Sequence, residues 1–287
     1  MPMSESLRAR VLVTAGDLAK EIAGRDAPVV LSIRHDSLRA PESYENEKRT
    51  PGAVDVDLPT ELASPATRTS GTRPLPTIDD LQRHARRWGI RRSSRVVVYD
   101  HDRGLQASRA WWVLRWAGIA DVRLLDGGFA AWAAGNCPVV NARPNPATGD
   151  VVLSEGHMQV MTAEDSAVMA RQGILLDSRI KPNYIGGPVP HGQPARGHIP
   201  GAISAPAVDN LADPGTFADG ETLRALYLGL GVDGTKKIGV YCGAGISAAH
   251  EIVALVSIGL EAAMYPGSWS AWSSEPDRPV ARGMEPG

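Results

Sequence analysis

Four short stretches of this chain occur twice and in the same order, and this duplication constrains the fold more than any other feature of the sequence. RTPGAV (residues 49–54) returns as HIPGAI (residues 198–203), an offset of 149 between Pro51 and Pro200. VVLSIR (residues 29–34) matches ILLDSR (residues 174–179) at an offset of 145. RVVVYD, ending at Asp100, matches KIGVYC, ending at Cys242, at 142; LLDGGFAAW, ending at Trp132, matches MYPGSWSAW, ending at Trp272, at 140. Offsets that drift by only a few residues are the trace of one unit written twice, with insertions and deletions confined to its loops.

Each copy carries the same coarse pattern. A short apolar strand (VVLSI, ILLDS) precedes a long loop and the PGA turn, and a helix with apolar residues at helical spacing follows (TIDDLQRHARRWG, GETLRALYLGLG). Next come a continuous apolar strand, a turn, a second helix, and a last strand leading into a Trp-containing segment. Strands alternating with helices predict an α/β fold with a parallel sheet flanked by helices in each copy. The Pro-rich stretch NCPVVNARPNPATGDVV (residues 136–152) reads as interdomain linker. The expected division is an N-terminal domain over residues 1–141, a linker over 142–157 and a C-terminal domain over 158–287.

Bulk properties exclude several functions. A formal charge of −2, with the arginines scattered, disfavours nucleic acid or an anionic membrane as partner. No stretch reaches the roughly 18 apolar residues of a transmembrane helix. The opening MPMSESLRARVLV has no secretory-leader core, and two cysteines make neither a disulfide framework nor a metal cluster. The expectation is a cytoplasmic protein without a metal or organic cofactor.

One of those cysteines, Cys242, lies between an apolar strand and a Gly-rich turn that opens an apolar helix, IGVYCGAGISAAHEIVALV. Three chemistries use such a junction. GAGISA fits a dinucleotide fingerprint, but the next strand ends YPGS, without the acidic residue that would hold a ribose. A Cys-based phosphatase needs an Arg six residues after the nucleophile to clamp the phosphoryl oxygens, and position 248 is Ala. Sulfur transfer needs a thiolate, converging amide donors and a small pocket. The first helical turn, its positive end and the curl allowed by Gly243 and Gly245 supply the donors from backbone, and Ser247 adds a hydroxyl.

The paired PGA turns, GHIPGAI, YCGAGISA and PGSWSAW together resemble the two-domain rhodanese family of sulfurtransferases, of the thiosulfate or 3-mercaptopyruvate type, over nearly the whole chain. The resemblance implies two tandem rhodanese-like domains, of which only the second is catalytic. Cys242 would form the persulfide, and Asp100 stands at its place in the first copy. It implies a small anionic sulfur donor, bound by Gly243, Ala244, Gly245, Ile246, Ser247 and Ala248 with Arg179, Lys181 and Asn183. The acceptor would be cyanide, a small thiol or a thioredoxin-like protein. A persulfide-carrying or regulatory module of low turnover is the alternative.

The chain departs from the family at several positions. Gly243-Ala244-Gly245 is uncharged, which resembles the mercaptopyruvate loop, but Ala244 lacks the hydroxyl of that loop. Asn183 precedes Tyr184 where an Arg is usual, and Arg73 stands near the place of a first-half His. Mercaptopyruvate-like donors are therefore favoured only narrowly over thiosulfate. Arg34, His35, Arg73 or Lys181 would supply positive charge at the pocket mouth. Arg179 is expected to pair with Asp177, while His198, His250, Cys137 and the Trp111–Trp112 pair are expected in structural roles.

Overall fold

Parallel strands buried on both faces read as unbroken apolar runs, and VVVY and ILLD are the innermost strands of two separate sheets. The computed structural model describes residues 7–35, 48–187, 196–213 and 215–287. Most of the long loops expected before the two PGA turns, residues 36–47 and 188–195, lie outside the described residues.

The chain divides into two units. The first comprises Met1–Ser64, Leu75–Met158 and Asp213–Phe217. It runs β1 (Leu12–Val13), α1 (Ala15–Ile22), β2 (Val29–Arg34), β3 (Val54–Asp57), α2 (Leu58–Glu61), α3 (Ile78–Arg87), β4 (Val96–Tyr99), α4 (Leu105–Trp116), β5 (Val122–Leu125) and α5 (Gly128–Ala134). Its five-stranded sheet has the order β1-β5-β4-β2-β3, and every pairing is parallel. Strand alternation sends Val97 and Tyr99 into a cluster with Leu18, Val30, Leu125 and Trp132. Across β2 and β3, Arg34 and the buried Arg49 converge on Asp55.

The second unit comprises Pro65–Pro74, Gln159–Ala212 and Ala218–Gly287. After α6 (Ala163–Gln172) come β6 (Ile174–Asp177), α7 (Lys181–Ile185), β7 (Ile203–Ser204), a 3-10 turn (Ala207–Asn210), α8 (Gly220–Gly229), β8 (Ile238–Tyr241), α9 (Ser247–Ser257), β9 (Ala263–Met264) and α10 (Ser268–Trp272). The sheet order β7-β6-β8-β9 repeats β3-β2-β4-β5 of the first unit. The place of β1 is taken by a single parallel bridge, Val160 to Met264. The duplication also extends further upstream than the four stretches. Thr14 caps α1 by accepting from Asp17 N, and Thr162 caps α6 by accepting from Asp165 N, inside TAGD and TAED segments at an offset of 148. Segment 65–74, written within the first copy, belongs to the second unit.

Helix α9 is buried along most of its length and packs on β8. It carries a fully buried acid, Glu251, whose Oε2 accepts from Asn210 Nδ2 at 2.8 Å. Asn210 Oδ1 in turn accepts from Tyr227 Oη at 2.9 Å, so one polar chain joins the 3-10 turn, α8 and α9. Burial pushes the Glu251 carboxyl up to about 8, against its hydrogen bonds with Asn210 and Tyr227, so at neutral pH it is mainly the neutral acid. The first copy also buries an ionisable group at the matching helical position, Arg109.

This raised value fixes a sign. Between the ordinary carboxylate value of 4.5 and about 8, the folded protein holds a proton on Glu251 that the unfolded chain releases. The stabilisation is complete at low pH and is lost as pH rises through about 8, with a slope of up to about 1.4 kcal/mol per pH unit. Glu251→Gln is expected to keep the Asn210 contact and flatten the fall in thermal stability between about pH 5 and 8. Melting curves of both proteins across that range test this, and an unchanged slope in the variant contradicts it.

Candidate active site

Cys242 follows the last residue of β8, at the carboxyl end of the sheet, where open α/β folds place their ligands. The turn into α9 is pinned from the opposite loop. Trp269 N donates to Cys242 O at 2.8 Å, and Ser270 N donates to Gly243 O at 3.0 Å. Cys242 N donates to Ser268 Oγ at 3.2 Å, and that hydroxyl donates to Tyr265 O at 2.9 Å. Ser268 holds φ +53°, where its counterpart in the first copy, Gly128, holds +59°. A side chain is costly in this conformation, and what it provides here is the hydroxyl that fixes the Cys242 amide.

Gly245, at φ +76°, reverses the chain so that its N–H points back and donates to Cys242 Sγ at 3.1 Å. Helix α9 begins on Ile246, whose side chain cannot cap it. The first-turn N–H groups from Ile246 to Ala249 therefore have no acceptor inside the helix and face the same end as the thiol. Cys242 itself is 2% exposed, while Gly243, Ala244, Ile246 and Ser247 are half-buried around it and Ala248 is buried. The arrangement is a short loop of amides around a recessed sulfur.

The first copy shows what this turn does with a negative charge. Asp100 ends β4 as Cys242 ends β8, and it is buried. Its Oδ1 accepts from Asp102 N and Gly104 N, and its Oδ2 from Ala107 N, each at 2.8 Å. The carboxylate fills the amide nest and caps α4. Burial raises its pKa and the backbone donors act to lower it. At the offset of 142, those donors correspond to the N–H groups of Ala244, Ile246 and Ala249.

Charged side chains approach Cys242 from two places. Arg179, buried just after β6, donates Nε to Asp177 at 2.9 Å and also gives an Nη to Asp177 and to Gly197 O. Its guanidinium lies over the Trp269 ring at 4.5 Å and the Tyr241 ring at 5.7 Å. Burial opposes its charge, but the Asp177 bonds and the negative charges around it, Cys242 included, hold its pKa above the usual range. Tyr241 is pushed well above the phenol range by burial and by Asp177, and its Oη accepts from Ile199 N at 3.1 Å. The second cation is Arg73, half-buried in the 65–74 segment. Burial pulls its pKa down, and the charge of Cys242 acts in the opposite direction.

Of the residues singled out in the sequence, 242–248 and Arg179 gather at this site. Lys181 is exposed on α7 and Asn183 is half-buried, its carbonyl accepting from Gly197 N. His198 is buried, stacked on Tyr184 at 3.8 Å, with Nδ1 on Tyr184 O and Nε2 on Pro286 O. His250 is buried in α9, and Arg34 pairs with Asp55 in the first unit. Ser268 and Ser270 escaped the sequence reading. The signal for Ser268 was present, since PGSW stands where the first copy has DGGF, a Ser at a Gly position.

A rhodanese-like domain pattern matches residues 14–135 and again 162–275. A Mycobacterium tuberculosis protein provisionally named thiosulfate sulfurtransferase SseB is 41% identical over 283 residues, covering 96% of this chain and 98% of that protein. A Pseudomonas aeruginosa protein provisionally named 3-mercaptopyruvate sulfurtransferase is 38% identical, covering 95% and 98% respectively. The solved structure of 3-mercaptopyruvate sulfurtransferase from Leishmania major superposes with a TM-score of 0.81 at 22% identity, covering 94% of this chain and 76% of that one. The chain belongs to the rhodanese-like family and is a sulfurtransferase. Among the described residues no helix is long and apolar enough to cross a membrane.

The positive φ of Gly245 and its N–H contact with the sulfur make this position sensitive to a single methyl. Gly245→Ala forces a side chain into the left-handed region at a cost of roughly 1–2 kcal/mol and turns the N–H off the sulfur. The expected result is a fall of a few degrees in melting temperature with about a tenfold or greater loss of sulfur transfer. Calorimetry and a turnover assay on the same preparation check both; full activity in the variant contradicts the assigned role.

Proposed function

We propose that this sulfurtransferase carries sulfane sulfur on Cys242 as a persulfide, taking it from a small anionic donor and passing it to a thiophilic acceptor. The observation that carries this reading is the pair Asp100 and Cys242. One copy of the turn binds an internal carboxylate with three backbone N–H groups, and the other copy presents a thiol to the same kind of loop.

In the first half-reaction the Cys242 thiolate attacks the outer sulfur of the donor. A new S–S bond forms, and the donor's own bond to that sulfur breaks. From thiosulfate the bonding pair leaves with sulfite. From 3-mercaptopyruvate it stays on carbon, which takes the proton of the donor thiol and leaves as pyruvate. The persulfide anion then extends Cys242 outward, and in this reading it is received by the N–H groups of Ala244, Ile246 and Ala249, which correspond by offset to the donors of the Asp100 carboxylate. In the second half-reaction cyanide or a thiolate, small or on a thioredoxin-like protein, attacks the terminal sulfur and restores the Cys242 thiolate. No external oxidant or reductant enters either step.

In this reading the first domain, residues 1–141, is catalytically silent, because Asp100 cannot carry sulfur and already fills its nest. Relatives named for each donor support both thiosulfate and 3-mercaptopyruvate as substrates, and the uncharged Gly243-Ala244-Gly245 turn tilts the choice slightly to the second. A reducing compartment such as the cytoplasm suits a chain whose Cys137 and Cys242 are both free thiols. The rival, a persulfide carrier of low turnover, is favoured by Ala244 and Asn183, which bring no hydroxyl and no cation to the loop.

Intact-mass measurement after incubation with each donor is expected to show one added sulfur on Cys242, lost on addition of cyanide and absent in Cys242→Ser. Steady-state rates with thiosulfate and 3-mercaptopyruvate side by side then separate enzyme from carrier. Persulfide that forms but turns over slowly with every acceptor favours the carrier, and no persulfide with either donor contradicts both.

A further inference from the structure

A peptide unit is planar, so fixing its carbonyl oxygen also fixes the direction of the N–H on its far side. Two such oxygens in the Cys242 turn are fixed by N–H groups of α10: Trp269 N donates to Cys242 O at 2.8 Å, and Ser270 N to Gly243 O at 3.0 Å. The second contact aims the N–H of Ala244, which lies in the same peptide unit as Gly243 O. By offset that N–H corresponds to Asp102 N, a donor to the Asp100 carboxylate. A carbonyl that accepts a hydrogen bond also polarises the N–H of its own peptide and makes it a stronger donor. Whatever holds Ser270 in place therefore bears on the aim and strength of the amides around the sulfur.

Segment 65–74 holds Ser270 from outside the second copy, since it is written in the first copy and packs in the second unit. Its own turn is closed by reciprocal bonds, Thr67 N to Ser70 Oγ at 2.8 Å and Ser70 N to Thr67 Oγ1 at 3.2 Å. Beyond that turn, Thr72 N donates to Ser270 Oγ at 3.0 Å, and the same hydroxyl donates to Gly267 O at 3.1 Å. Gly71, buried at φ +79°, approaches so closely that an added Cβ would lie 2.5 Å from Gly267 O and 2.9 Å from Ser270 Oγ. The first unit takes a comparable tie from the second copy. Within Asp213–Phe217, Phe217 N donates to Asp126 Oδ1 at 2.8 Å, beside the loop whose Phe129 N donates to Asp100 O at 2.9 Å. Each pinning loop is thus held by a segment of the opposite copy, and in the second unit that loop pins the cysteine turn.

We infer that Ser270 is a positioning residue for sulfur transfer, and that segment 65–74 acts through its hydroxyl to fix the turn whose N–H groups hold negative charge on Cys242. The inference rests on the persulfide reading above. The chain of contacts runs from Gly71 and Thr72 to Ser270, from Ser270 N to Gly243 O, and from that peptide to the Ala244 N–H. The same turn carries Gly245, whose N–H meets Cys242 Sγ at 3.1 Å. None of the tie residues carries charge or sulfur, so the tie governs how well the amides are preorganised and leaves donor recognition to other groups. Its loss is felt in the chemical step and in the acidity of the thiol.

The test compares the full chain with three variants, each shown folded by circular dichroism. Ser270→Ala keeps the backbone N–H but frees the segment, Gly71→Ala drives the segment off the loop with a methyl, and the third variant carries both changes. Either single change is expected to lower kcat about three- to tenfold, with KM for thiosulfate and 3-mercaptopyruvate within about twofold. The midpoint of the pH profile for Cys242 alkylation by iodoacetamide, read on the Cys242 peptide, rises by roughly half to one pH unit. A change that only lowered global stability would leave that midpoint in place. The double variant is expected to lose no more than the worse single one, because both changes cut the same tie. Alkylation needs no persulfide, so a wild-type chain that forms none overturns the persulfide reading alone, and the profile still decides the tie. An unchanged alkylation midpoint in either variant, or losses that multiply in the double variant, overturns the inference.

Discussion

The junction between the end of a parallel strand and the start of a helix concentrates unpaired backbone N–H groups at one point, and the chemistry of both copies follows from what fills that point. In the first copy an aspartate does, with three N–H donors on two carboxylate oxygens. In the second a thiol stands there, with Gly245 N–H on its sulfur at 3.1 Å. A carboxylate brings its own charge to the nest and closes it. A thiol brings no full charge of its own, so the proposed persulfide would find the loop donors still to be engaged. Asp100 after β4 and Cys242 after β8 thus occupy the same point of two sheets of the same strand order.

The rest of the second unit serves that junction. Ser268 accepts an unfavourable φ to hold the Cys242 amide, and Trp269 both receives Arg179 on its face and fixes the Cys242 carbonyl. Behind the loop, α9 is locked by the Glu251–Asn210–Tyr227 chain, in which a buried carboxyl stays neutral and so adds no negative charge below the site. In front of it, Ser270 carries both the catalytic turn and segment 65–74. The charge of Arg179 is compensated by Asp177.

Much of this was legible in the sequence, because duplication doubles every weak signal. VVVYD and KIGVYC show the central strands, their ends and the strand-to-helix turn that holds Cys242, and DSR shows the Asp177–Arg179 pair. The repeated TAGD and TAED caps were equally present, and with them the start of each unit, but they carry few apolar residues and no chemistry to draw attention. What could not be read is whatever depends on the chain folding back over long distances. Nothing in GTRP says that it packs against GSWS nearly two hundred residues on, since that contact is made by backbone groups and the Thr72 and Ser270 hydroxyls. Nor does anything in AAHEIV show that Glu251 is buried against Asn210 and Tyr227.

We propose that Cys242 forms a persulfide whose outer sulfur is received by the loop amides. A crystal structure of the protein reacted with donor measures this directly. The account predicts added density on Cys242 Sγ, within hydrogen-bonding distance of the N–H groups of Ala244, Ile246 and Ala249, in the pattern Asp100 makes with its own loop. An outer sulfur turned away from those amides, or sulfur carried on Cys137 with Cys242 unmodified, would contradict it.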